Sequence, residues 1–129
     1  MLQTIQLQGT ESKLYRLVAP LVMDPDVLRR NNNYPFKTTE NYVWFVAING
    51  KLVVGFIPVE LRGKTAIINN YYVDEKEEEV LPLLISEVVA ALGTEKKLSS
   101  VTLTEHRRVF EEQGFTVEKE WKRYVKMNK

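Results

Sequence analysis

Apolar positions recur along this chain with two different periods, and each change of period marks a structural element. After the strand-like TIQLQ, Leu14, Leu17, Val18, Leu21 and Val22 fall at i, i+3, i+4, i+7 and i+8. That spacing predicts an amphipathic helix with Thr10 as its cap, kinked or shortened by Pro20, which supplies no amide donor. In MDPDVLRRNNN, Asp24 reads as a cap and Pro25 as the first residue of a second, short helix. NNNYPFKTTEN is a loop.

Alternation then takes over. YVWFVAI and KLVVGFIPVEL flank Asn49-Gly50, a pair suited to a type I′ hairpin because both central residues need positive φ. RGK (62–64) makes a second turn into TAIINNYYV, which completes a three-stranded antiparallel meander. From about Val80 the period is helical again: Leu81, Leu84, Ile85, Val88, Val89 and Leu92 form one stripe, with Gly93 at the C-terminal cap. LSSVTLT predicts a strand and EHRRVFEEQG a short helix closed by Gly114. FTVEKEWKRYVKM reads as one last strand with Val117, Trp121, Val125 and Met127 on a shared face. The helix between TAIINNYYV and LSSVTLT would be a right-handed crossover joining parallel strands. These elements predict an α/β (α+β) architecture: one domain over residues 1–129, with a mixed, mostly antiparallel sheet and helices on both faces.

Composition narrows the chemistry. Eighteen Lys and Arg against seventeen Asp and Glu leave a net charge of +1, which provides no general field toward nucleic acid or membrane surfaces. The absence of cysteine excludes thiol catalysis, disulfides and thiolate metal sites. With one histidine and no ligand-like spacing of acids, no metal is expected. The start, MLQTIQLQGT, lacks the basic-then-apolar pattern of a secretion signal, and no apolar run approaches the roughly 20 residues of a membrane span. A soluble cytoplasmic protein is the expectation, and a homo-oligomer is compatible with it. In the tail, Lys119, Lys122, Arg123, Lys126 and Lys129 are interleaved with Trp121 and Tyr124. Such a mixture suits single-stranded nucleic acid, but the basic outer face of an amphipathic strand explains it more simply. No nucleic-acid partner is expected.

The order of elements, with NGKLVVGFIPVE as central hairpin, AIINNYYV as the next strand and FEEQGF near the end, resembles the GCN5-related N-acetyltransferase (GNAT) family. The resemblance spans nearly the whole chain and rests on layout. It implies transfer of an acetyl group from acetyl-CoA to an amine. It implies cofactor binding through backbone groups near Tyr72, Val73 and Leu81, with Glu60 as the base. The equally open alternative is a catalytically inactive member of the fold, acting as a binding or assembly module.

That alternative is motivated by VDEKEEEVLP (73–82), which occupies the place of the family's phosphate loop, Q/R-x-x-G-x-G/A. Small residues there let backbone N–H groups approach a pyrophosphate at a helix N-terminus. Here Glu77 stands at the Gln/Arg position, Val80 at the first small residue and Pro82 at the second. Asp74, Glu75, Glu78 and Glu79 add charge, with only Lys76 against them. Like charges about 4 Å apart repel by roughly 1 kcal/mol in water and about 4 near a protein surface. Acids at a helix start also offset its dipole, by about 0.3–1 kcal/mol each, so the run has a purely structural explanation too. Pro82 is tolerated only if the helix begins near Glu79, which leaves 74–78 as loop. Finally, Phe110 occupies the position where many members carry a tyrosine able to protonate the leaving thiolate. His106, the only histidine, forms no dyad with Glu105, because adjacent helical residues do not face each other, and an exposed first-turn residue is expected.

Overall fold

The computed structural model describes all residues, 1–129. Eight strands form one sheet: β1 (Leu2–Gln8), β2 (Tyr42–Asn49), β3 (Leu52–Arg62), β4 (Thr65–Ile68), β5 (Tyr72–Val73), β6 (Lys97–Leu103), β7 (Thr116–Glu120) and β8 (Tyr124–Asn128). Their spatial order is β1-β2-β3-β4-β6-β8-β7, with β5 attached to β3. The helices are α1 (Ser12–Val22), α2 (Pro25–Arg30), α3 (Val80–Leu92) and α4 (Arg107–Glu112), the last entered through a 3-10 turn at Thr104–His106. Only β4 and β6 pair in parallel, from Thr65↔Lys97 to Ile68↔Ser100, and α3 is the crossover between them. The result is the mixed, mostly antiparallel α+β sheet that the pattern predicts.

Alternation along the central strands builds a core on each face. Val43, Phe45 and Ala47 of β2 pack toward α3, whereas Trp44 and Val46 join Leu14 and Val18 of α1. Five α3 residues, Val80, Leu81, Leu84, Ile85 and Val88, are buried. At about 1.5–3 kcal/mol per buried side chain, that stripe supplies roughly 7–15 kcal/mol of gross stabilisation before chain entropy is subtracted. At α2, the Asp24 carboxylate accepts from the Asp26 N–H at 2.8 Å and Pro25 opens the helix, as expected.

Four local expectations are corrected. Helix α1 begins at Ser12 behind Glu11, whose carboxylate turns back to accept from the Gln8 N–H at 2.9 Å, so Thr10 is not the cap. The helix also runs past Pro20 to Val22, without the bond that an amide at position 20 would have given the Arg16 carbonyl. In the β2–β3 hairpin Asn49 pairs with Leu52, so the turn is centred on Gly50-Lys51, and only Gly50 has positive φ (65°). Glycine at the first central position is the type II′ arrangement rather than I′. The last strand is really two: β7 and β8 form a hairpin closed at 121–123, and β8 lies between β6 and β7. Val125 and Met127 are buried as predicted, but Trp121 sits at the turn, 46% exposed, with the Lys119 ammonium over its ring. A turn made of Trp, Lys and Arg carries none of the usual Gly, Asn or Pro signals.

The fourth correction positions the site. TAIINNYYV is not continuous, because Asn69 and Asn70 interrupt it and Asn70 takes a left-handed conformation (φ 58°). No helix of the protein is long and apolar enough to cross a membrane.

Candidate active site

The interruption opens the sheet. β4 and β6 stay paired as far as Ile68 and Ser100. Beyond Asn70 the chain resumes its pairing with β3, Gly55 with Val73 and Phe56 with Tyr72, but not with β6. β6 meanwhile continues through Val101, Thr102 and Leu103 against β8 alone. The β5 edge that faces β6 is left without backbone partners. Asparagine suits this bend because it visits the left-handed region more readily than other non-glycine residues. Gly55 keeps α3 close beside the opening: a Cβ there would lie 2.7 Å from Val80 Cγ1 and 3.0 Å from the Tyr72 carbonyl.

On the α1/α2 face a groove of about 820 Å³ runs up to the opening, bordered by Lys37, Tyr42, Glu60, Asn69, Asn70 and Tyr124. Glu60, the residue expected to act as base, is therefore in a cleft that reaches the split. Its carboxylate meets Arg62 at 3.0 Å, with side chains 27% and 68% exposed. Water screens such a pair, so it is worth at most about 1 kcal/mol and leaves the carboxylate available. Burial, and secondarily the charge of Glu60, raise the Tyr42 phenol above its usual range.

On the opposite face, between α3 and α4, lies a cleft of about 480 Å³. Val73, Leu81 and Val109 line it together with Asp74, Glu75, Glu77, Glu78, Glu105 and His106. The acidic loop satisfies itself. Asp74 accepts from Lys76 N–H through its carboxylate and from Glu77 N–H through its carbonyl, both at 3.0 Å, and Val80 N–H donates to Glu77 O at 3.2 Å. Glu77 Oε1 in turn accepts from Asn49 Nδ2 at 2.7 Å. Helix α3 starts at Val80, so 74–78 is loop and Pro82 lies in the first turn, where its missing amide costs no intrahelical bond.

The cleft thus gathers two of the three predicted cofactor residues, Val73 and Leu81. The Tyr72 side chain points to the other face, packing on Phe56 at 5.6 Å between ring centroids, so Tyr72 offers the opening only its backbone. Apolar Val73, Leu81 and Val109 lie together on one side of the cleft, beside the free β5 edge. A pyrophosphate at the α3 end would meet carboxylates and a loop whose amides are partly consumed. No group of three or more His, Asp or Glu side chains is arranged to hold a metal.

Between groove and cleft stands Tyr71, on the same face as Val73 and against α4, with its ring 6.0 Å from that of Phe110. Its hydroxyl shares hydrogen bonds with Thr102 Oγ1 and His106 Nδ1, each 2.5 Å long. Burial keeps this phenol protonated far above the usual range, outweighing its hydrogen bond to Thr102. Burial also lowers the pKa of His106, against the opposing pull of Glu105 and Glu75. His106 is therefore half-buried and bonded, not the exposed residue expected from the sequence. One signal pointed the right way: His106 precedes the fully buried Phe110 by four residues, one helical turn. Two residues before Thr102, Ser100 Oγ is buried without any hydrogen-bond partner.

No protein-family model and no curated protein matches the sequence. Solved structures match it along its whole length. Escherichia coli ElaA superposes with TM-score 0.75 at 17% identity, covering 100% of this chain and 99% of that one. An acyl-CoA N-acyltransferase from Pseudomonas aeruginosa gives 0.77 at 10% identity, with 100% and 99% covered. A GNAT family acetyltransferase from Elizabethkingia anophelis with acetyl-CoA bound gives 0.65 at 12% identity, with 98% and 96% covered. The chain has the GNAT fold.

Proposed function

We propose that this GNAT-fold chain is an acyl-CoA-dependent N-acyltransferase, with the acyl donor in the α3/α4 cleft and an amine acceptor in the α1/α2 groove. The observation that carries the reading is the split itself. Two clefts on opposite faces of one sheet approach each other where β4 and β6 part, beside an unpaired strand edge. Unpaired backbone groups can hold an extended, amide-bearing arm in line with an acceptor on the other side, which is the positioning that a two-substrate transfer needs.

Backbone groups of Tyr72, Val73 and Leu81 would hold that arm, and the donor supplies an activated thioester carbonyl. Glu60 would orient the amine and draw off its charge from the groove side, directly or through water. Lys37 in the groove has no acidic partner within bridging distance, which favours an amine that also carries an anionic group over a polyamine.

The test is calorimetric titration with acetyl-CoA, followed by release of free thiol with a panel of amines. Binding tighter than about 1 mM, near −4 kcal/mol, with amine-dependent thiol release supports the reading. Weaker binding refutes it. Binding without turnover would return the chain to the catalytically inactive alternative, a binding or assembly module.

A further inference from the structure

We propose that Tyr71 and His106 form a proton relay across the split sheet, taking the acceptor amine's surplus proton from the groove side to the opposite cleft. This deepens the acyl-transfer reading and rests on it.

The placement is specific. Tyr71 lines a narrow pocket with Asn69, Asn70, Val101 and Tyr124, and all four of those residues also border the groove. His106, bonded to the Tyr71 hydroxyl through Nδ1, lines the cleft on the other face. One hydrogen-bonded pair therefore links the narrow pocket beside the groove to the cleft, at the point where the strands separate. Glu60, held by Arg62, lies only on the groove side.

Burial holds the Tyr71 phenol above its usual range and His106 below its own, so the phenolic proton moves only as the amine's proton replaces it. Thr102 from β6 donates to or accepts from the phenol oxygen and holds it in place. His106 faces Tyr71 from the strands and Glu105 from its own turn. Glu75 acts on it from the loop before α3, and Asp74, Glu77 and Glu78 share its cleft. Apolar contacts come from α4, through Val109 and Phe110. A neutral imidazole with Nδ1 as acceptor takes the phenolic proton, and the surrounding carboxylates stabilise the imidazolium that results.

In the transfer step the amine nitrogen bonds to the acyl carbon, and the carbon–sulfur bond breaks with its electron pair leaving on sulfur. The nitrogen's surplus proton passes to the Tyr71 oxygen as the phenolic proton passes to His106 Nδ1. His106 then loses a proton from Nε2 to solvent in the cleft, and the departing thiolate takes one up from solvent. Before the next turnover, exchange with solvent reprotonates Nε2 and removes the Nδ1 proton, which restores the accepting tautomer. The acidic loop thereby gains a role: it surrounds the relay's charged end.

Two variants and one wild-type measurement test this. Tyr71→Phe keeps the ring and removes the hydroxyl. His106→Asn keeps an acceptor near the Nδ1 position but accepts no proton, so it rescues a merely structural bond and not a relay. With acetyl-CoA and the best amine of the panel, both variants should lose about a hundredfold in kcat. The wild-type fall of kcat toward acid pH should vanish in His106→Asn, while its melting temperature stays near wild type. Independently of turnover, nitrogen NMR of wild-type protein near pH 8 should show His106 protonated at Nε2 with Nδ1 free to accept. An Nδ1-protonated tautomer, or an active wild type whose kcat and acid limb survive His106→Asn, overturns the relay alone. A wild type that binds no acetyl-CoA and releases no thiol overturns the acyl-transfer reading beneath it.

Discussion

Neutralising part of the acidic loop should strengthen CoA binding, and by a calculable amount. In Glu77→Gln/Glu78→Gln, two carboxylates of the α3/α4 cleft lose their charge. The amide oxygen introduced at position 77 can still accept from Asn49 Nδ2, the bond Glu77 makes at 2.7 Å, so the loop keeps its anchor. A unit charge about 8 Å from a phosphate repels it by roughly 0.5 kcal/mol in water and about 2 kcal/mol near a protein surface. Screening over a Debye length of about 8 Å at physiological salt reduces the upper value. Some 0.5–1 kcal/mol per site remains, so the double variant should bind CoA about five to thirty times more tightly. Calorimetry at about 0.02 M and about 0.5 M salt adds a sign test. Repulsion predicts that wild-type affinity rises with salt and that the rise is smaller in the variant. Unchanged affinity in the variant, or wild-type binding that weakens with salt, would show that the carboxylates do not face the phosphates.

Other consequences are open to stability measurements. Gly55→Ala places a Cβ 2.7 Å from Val80 Cγ1 and should cost about 1–3 kcal/mol in chemical denaturation; a neutral result would mean that α3 does not sit on β3 as described. Ser100→Ala removes a buried hydroxyl that has no partner and should stabilise by about 1 kcal/mol, whereas a loss would reveal a hidden hydrogen bond. Tyr71 is raised by burial, so its folded pKa exceeds the unfolded value near 10, and the stability it contributes is present below pH 10 and lost above it. Unfolding free energy should fall by up to about 1.4 kcal/mol per pH unit there. The slope should shrink in Tyr71→Phe without disappearing, because Tyr42 and Tyr72 are also raised by burial.

Much of the fold was readable because its signals are local. The apolar stripe of α3, the Asp24-Pro25 start of α2 and the two glycine turns each act within one or two turns of chain. Pro82 even located the start of α3 correctly, since a missing amide is harmless only in the first turn. Reading stopped where the signal was absent or ambiguous. An alternating run cannot show that it folds back at Trp121 when the turn carries no Gly, Asn or Pro. Helix and strand periods likewise could not tell that Asn69-Asn70 ends the pairing with β6 while the pairing with β3 resumes beyond it.

The site divides along the same line. From the sequence alone came the acidic loop at the start of α3, the phenylalanine at position 110 and the chemistry ruled out by having no cysteine. Each is a statement about residue type at a position, which needs no partner to be true. Tertiary structure alone decided that Tyr71 and His106, 35 residues apart, share a hydrogen bond, and that Glu60 opens on the opposite face from Val73 and Leu81. Those facts depend on where β5 leaves β6. That parting comes where pairing with β6, about 30 residues away in sequence, ends at Ile68 while pairing with β3 resumes at Tyr72, a long-range balance that no local pattern encodes.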